Sequence, residues 1–254
     1  MAALKDVVAY IDELVDIKAI AGDYSNNGLQ VESSENVRKA VFSVDASREL
    51  FERAAAVNAD FIFVHHGISW GAEPKLLTGP VAVRLKELFN NGVSLYAAHL
   101  PLDAHQELGH NALLADMAGL VDRKGCYEHS GSNIGIAGRL SKIMSTAKLA
   151  AIYEKELNCE ADVYGDPERE LNEISIVSGG GGLGGLMDAY EAGVDCFVTG
   201  EVTHIMYPWI KETGVNVIQL GHYKSEVPGV VAVMKKLSAK FDIDCEFIDL
   251  PTGL

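Results

Sequence analysis

Three stretches of this chain each end an apolar run in histidine or carboxylate. In Phe61–Gly67 (FIFVHHG) the run closes on His65 and His66, and Gly67 permits a sharp turn. Val93–Ala98 leads into His99-Leu-Pro-Leu-Asp103-Ala-His105, and Val215–Leu220 into Gly221-His222-Tyr-Lys-Ser225-Glu226. Each group alone has a bland reading. His65 and His66 can be structural histidines on opposite faces of a strand. Asp103 can cap a helix behind a Pro101 loop, with His105 on the surface. Glu226 can be a first-turn acid, with Ser225 as N-cap and Pro228 tolerated in the first turn.

Together, three imidazoles and two carboxylates, His65, His66, Asp103, His222 and Glu226, form one chemical set suited to a pair of divalent ions. A carboxylate can bridge two metals, each keeping open positions for water or substrate, and this is the chemistry of metal-assisted hydrolysis. No cysteine falls in these groups, which disfavours a closed structural zinc site. Mixed nitrogen and oxygen donors leave Zn, Fe, Mn, Co and Ni open. His99, and Glu201 and His204 of Thr199-Gly-Glu201-Val-Thr-His204, are further candidates to orient ligands or touch substrate.

A glycine run competes with this set. Ile174–Val177 feeds Ser178-Gly-Gly-Gly-Gly182-Leu-Gly184-Gly185, and Gly180, Gly182 and Gly185 satisfy GxGxxG. Glu201 stands 21 residues beyond Gly180, where a dinucleotide-binding fingerprint has its acid. Such a loop presents backbone N–H groups to phosphate; close packing of a helix on a sheet explains the same glycines equally well.

The elements that would position these residues alternate. Leu4, Val7, Val8, Ile11, Leu14 and Val15 form an amphipathic helical stripe, and Asp23–Gly28 (DYSNNG) is turn chemistry. Strand-like and helical runs then take turns: Ala40–Val44, Glu49–Val57, Phe61–Val64, Val81–Phe89 and Val93–Ala98. Helical stripes at Ala112–Met117 and Ile143–Leu157 accompany strand-like Ile134–Ala137 and Ile174–Val177. The last third alternates strand Cys196–Thr199, helix His204–Lys211, strand Val215–Leu220, helix Val230–Phe241 and strand Cys245–Ile248. Such a rhythm predicts an α/β fold of two α/β domains with mainly parallel strands and the site at their carboxyl ends. The polar stretch Asp122–Ser132 is the best boundary, dividing 1–125 from 126–254, with the last segment able to pack with the first domain.

Composition excludes several classes of function. The 254 residues carry 36 acidic against 21 basic side chains, 36 − 21 = 15 net negative charges, with 48% hydrophobic residues. A core forms at this length without staples. Without a basic run, double-stranded nucleic acid and anionic membranes are poor partners. The four cysteines make no CxxC pair, so buried reduced thiols are expected. With no spanning or signal segment read from the sequence, the expected location is the cytoplasm.

The motifs, in order, are Ser25–Leu29 (SNNGL), Val64–Gly67 (VHHG), His99–Asn111 (HLPLDAHQELGHN), Ser178–Gly182 (SGGGG), Val198–Glu201 (VTGE) and Gly221–Glu226 (GHYKSE). In this ensemble the chain resembles the dinuclear-metal-centre proteins labelled GTP cyclohydrolase 1 type 2 homologues. The resemblance implies two divalent ions per subunit: His66 and Asp103 on one, His65 and His222 on the other, and Glu226 bridging. Tyr223 stands where the family often has a second histidine. The family also implies a two-domain subunit in a ring-shaped homohexamer, a trimer of dimers, and its label points to nucleotide or pterin-like substrates. Two ions outweigh the charge of Asp103 and Glu226, so a small anionic substrate is expected. Three functional classes stay open: a metal-dependent hydrolase, a non-catalytic metal-binding or regulatory protein, and a dinucleotide-dependent oxidoreductase.

Overall fold

The computed structural model describes residues 1–71 and 76–254. In chain order the first elements are β1 (Ala2–Ala3), α1 (Leu4–Leu14), β2 (Gly28–Val31), β3 (Asn36–Val37), β4 (Lys39–Asp45) and α2 (Arg48–Ala56). Then come β5 (Phe61–His66), α3 (Gly79–Asn90), β6 (Ser94–Ala97), α4 (Leu100–Asp103), α5 (His110–Ala118), β7 (Leu120–His129) and β8 (Ser132–Ser145). The chain continues through α6 (Thr146–Leu157), β9 (Asp162–Tyr164), β10 (Glu170–Val177), α7 (Gly182–Glu191) and β11 (Cys196–Thr199). It finishes with α8 (Met206–Thr213), β12 (Asn216–Gln219), α9 (His222–Lys240) and β13 (Asp244–Phe247). Two compact units result: Met1–Leu102 with Gly229–Leu250, and Asp103–Pro228 with Pro251–Leu254.

The first unit holds a five-stranded sheet in the order β13-β4-β5-β6-β2. Its β13/β4, β4/β5 and β5/β6 pairs are parallel, and β2 adds antiparallel to β6. Helices cover both faces, which is why β4 and β5 read as unbroken apolar runs rather than alternating ones. Leu50, Phe51 and Ala54 of α2 share a core with Val41, Ile62, Val64 and Leu95. On the opposite face Phe63 stacks on Tyr96 at 5.8 Å between ring centroids, and the Tyr96 hydroxyl donates to Asp12 at 2.6 Å. Each fully buried Phe of this sheet contributes about 1.5–3 kcal/mol of burial.

The second unit holds a six-stranded sheet, β7-β8-β10-β11-β12-β9. Parallel β10/β11 and β11/β12 pairs form its middle; β7/β8, β8/β10 and β12/β9 are antiparallel. Ala112, Leu114, Leu149 and Tyr153 of α5 and α6 pack one core; Leu186, Ala189, Met206 and Ile210 of α7 and α8 pack another.

The mixed α/β class and two α/β units agree with the sequence. Asp122–Ser132, expected to divide them, instead forms most of β7 and the turn into β8. Ser130 and Gly131 both have positive φ, as a two-residue hairpin turn of primed type requires. A register shift between Val121 and Lys124 supplies the rest of the irregular texture. Ile143–Ser145 finish β8 rather than begin a helix, because the Ser145 hydroxyl accepts from Lys148 N–H and caps α6. Among the described residues no helix is long and apolar enough to cross a membrane.

Candidate metal centre

In the first unit three histidines gather at the carboxyl ends of β5 and β6. Strand alternation sends His65 and His66 to different faces, but the strand ends there, and their ring centroids lie 4.5 Å apart. His99 follows β6, its ring 5.1 Å from His65 and 5.6 Å from His66. One ligand atom from each lies within 4.8 Å of the others, a grouping able to hold a metal ion.

What holds these rings is more informative than their proximity. Fully buried His65 turns Nδ1 to the Ala98 carbonyl at 2.8 Å. A carbonyl can only accept, so Nδ1 carries a proton and donates it to Ala98. Asp45, beside His66 in the parallel register of β4 and β5, accepts from His66 Nδ1 at 2.8 Å. Asp23 accepts from His99 Nδ1 at 2.8 Å. Asp23 also takes the N–H groups of Ser25 and Leu100 and the amide of Asn27. Burial alone would raise the Asp23 pKa, but hydrogen bonds from His99 and Asn27 and the nearby His99 charge hold it at about 2. A histidine whose Nδ1–H is fixed on an oxygen is the usual form of a metal ligand.

The second unit builds its group differently. His222 opens α9, donates from Nδ1 to Glu201 Oε1 at 2.6 Å, and sets Nε2 3.2 Å from Glu226 Oε1 one turn later. Burial works against its charged form, but hydrogen bonds and charge from Glu226 and Glu201 prevail and lift its pKa to about 9. Without a metal this imidazole carries a proton on each nitrogen, so a divalent ion must replace one.

The glycine run makes room for this pair. Gly179 adopts φ +58°, and a Cβ there would run into Glu226 Oε1 and come within 3.1 Å of His222 Nε2. Gly179 N–H donates to Ser225 Oγ, whose hydroxyl donates to the His222 carbonyl, so Ser225 lies inside α9 rather than capping it. In the same loop the Ser178 hydroxyl donates to Asp103 Oδ1 at 3.1 Å, and Asn111 Oδ1 accepts Ser178 N–H at 2.7 Å. Asp103 and Glu226 are both buried. Asp103 ends α4, and the N-cap of α5 is Gly109.

The remaining candidates separate. Glu201 orients His222. His105 Nδ1 accepts the N–H groups of Glu107 and Leu108, fastening a turn. His204 is exposed just before α8. Gly181 and Gly185 have another task, since a Cβ at either would lie under 3.0 Å from the Phe197 ring of β11. The run thus serves close helix–strand packing and the His222–Glu226 pair, and the acid needed by a dinucleotide reading is committed to His222. The four cysteines are free; burial pushes the Cys126 thiol up to about 12.

Sequence reasoning missed Asp23 and Asp45. Asp45 ends the strand beside FIFVHH, which was the available signal; Asp23 lay in a stretch that reads simply as a turn. It also passed over His110, fully buried at the start of α5.

Neutral imidazole nitrogen and buried carboxylate oxygen are the donor chemistry that divalent transition ions take, so the residues fit metal. Residues 2–252 match the family model described as Duf34/NIF3 (NGG1p interacting factor 3). An Archaeoglobus fulgidus protein named GTP cyclohydrolase 1 type 2 homolog is 42% identical over 251 residues, covering 99% of each chain. A solved structure described as protein ybgI, of unknown function, superposes with a TM-score of 0.90 at 35% identity, covering 99% of this chain and 100% of its own. The Thermus thermophilus protein TTHA1606 gives a TM-score of 0.87 at 37% identity, with coverage of 99% and 100%.

Proposed function

The chain belongs to the Duf34/NIF3 family, and from that premise we propose that it is a dinuclear metal-dependent hydrolase of a small nucleotide or pterin-like molecule. In this reading His66 and Asp103 would hold one divalent ion and His65 and His222 the other, with Glu226 shared between them. The supporting observation is that His65, His66 and His222 each commit Nδ1 to an oxygen, of Ala98, Asp45 and Glu201 respectively. The relatives' printed name, GTP cyclohydrolase 1 type 2 homolog, supports the substrate class.

Bound ions supply Lewis acidity and bring the pKa of water to about 7. The chain supplies the rest. Asp45 and Glu201 fix the tautomers of His66 and His222 and raise their basicity, while Ser178 holds the Asp103 carboxylate. His222 would have to give up a proton to hold a metal, so its part in loading would depend on pH. In this reading the subunit assembles as a homohexamer in the cytoplasm.

Elemental analysis should find about two divalent ions per chain. His65→Ala and Glu226→Ala should each lose metal and turnover together, and a full metal complement in Glu226→Ala overturns the bridging role. Metal-loaded protein inert toward nucleotides, pterins, esters and phosphodiesters would instead leave a metal-binding role without turnover.

A further inference from the structure

Trp70 stands at the edge of the first unit's histidine group. Its ring centroid is 5.1 Å from that of His99 in an edge-on arrangement at 74°, and 6.2 Å from His66 at 38°. The indole is half-buried. Its one polar group, Nε1–H, donates to the Gly67 carbonyl at 2.9 Å, so what the side chain presents is π surface.

The backbone beneath it is tied down on both sides. Ser69 O accepts Asn26 N–H, Tyr24 O accepts Gly71 N–H, and Asn26 Nδ2 donates to both Ser69 Oγ and Gly71 O. Gln30 Oε1 accepts the N–H groups of Ile68 and Ser69. These amides are spent on holding the segment and do not form the paired polar set that sugar hydroxyls require. A rigid indole loses little freedom when a ligand lands on it, and a planar π-system gains most from doing so.

We propose that Trp70 is a positioning wall on which a planar nitrogen heterocycle stacks, with its reacting edge toward His66 and His99. This rests on the hydrolase reading above and gives the ring of its nucleotide or pterin-like substrate a binding place beside the first unit's histidines. Base–aromatic stacking tolerates differences between rings, so purines and pterins share this surface.

Trp70 and Trp209 are the only tryptophans of the chain, and Trp209 lies on α8, so Trp209→Phe leaves Trp70 as sole reporter. Guanosine should quench the emission of this variant saturably, and ribose 5-phosphate should leave it unchanged. By calorimetry, Trp70→Leu should weaken guanosine binding about tenfold or more at unchanged metal content, while Trp70→Phe recovers most of it. No saturable quenching by guanosine, equal quenching by ribose 5-phosphate, or undiminished affinity in Trp70→Leu overturns the wall. Its failure is separable from that of the hydrolase reading. Full metal with turnover of a non-aromatic substrate removes the wall alone; guanosine quenching in a protein unable to hold metal removes the hydrolase alone.

Discussion

The two units gather their candidate donors by opposite means. In the first, His65, His66 and His99 sit at the ends of neighbouring parallel strands, and partners far along the chain, Ala98, Asp45 and Asp23, fix each ring. In the second, His222 and Glu226 are one helical turn apart, and a glycine loop opens the space they occupy. Strand register delivers imidazoles each tied through Nδ1 to an oxygen; helix periodicity delivers an imidazole set between two carboxylates. An assembly of the first kind is as stiff as its sheet, whereas the second depends on a single backbone conformation at Gly179.

The sharpest way to break this contrast is Gly179→Ala. The left-handed backbone and the collision with Glu226 together should cost about 1–3 kcal/mol, and zinc affinity measured by dialysis should fall about tenfold to a hundredfold. Unchanged affinity would mean that the second group does not depend on the loop.

Next come the carboxylates that hold the rings. Asp45→Asn and Glu201→Gln should each lower metal affinity about 10–100-fold. Only Glu201→Gln should also shift the titration of His222 followed by NMR. A shift of His222 of the same size in Asp45→Asn would erase the distinction.

The smallest effect is in the pH dependence of the metal-free protein. His222 is raised from 6.5 to about 9, so its contribution to stability is full below pH 6.5 and is lost as pH rises through about 9. Asp23 is lowered from 3.8 to about 2, so its contribution is present above pH 3.8 and is lost as pH falls through about 2. Melting temperatures should therefore decline at both ends, and Glu201→Gln should flatten only the alkaline side. An unaltered alkaline decline in that variant would show that another group causes it.

Much of this was legible in the residues. FIFVHH reads as a buried parallel strand ending in donors because both its faces are apolar, and β5 runs from Phe61 to His66. Glu226 and His222 are four residues apart, a helical spacing, yet the sequence reads Ser225 as the N-cap and Glu226 as a first-turn acid, leaving His222 outside a helix that in fact begins there. Pro228 encourages that error, since it reads as a first-turn residue, whereas it lies inside α9. Asp23 could not be singled out because its role comes from four hydrogen-bond donors, of which His99 and Leu100 are more than seventy positions away. Local pattern carries periodicity and turns; it does not carry which distant side chain a carboxylate will meet. The polar texture of Asp122–Ser132 misled for a related reason, since a twisted hairpin with bulges needs the same residues as a linker.

The first unit is discontinuous, and this bears on how the protein is made. β4 is synthesised near residue 40, but β13, which pairs with it from Asp244–Lys39 to Phe247–Phe42, emerges some two hundred residues later. Throughout translation of the second unit, β4 is an unfinished sheet edge, able to recruit any extended segment that passes. Ribosome-bound chains halted after Pro228 should thus need chaperone protection that release of the last strand ends.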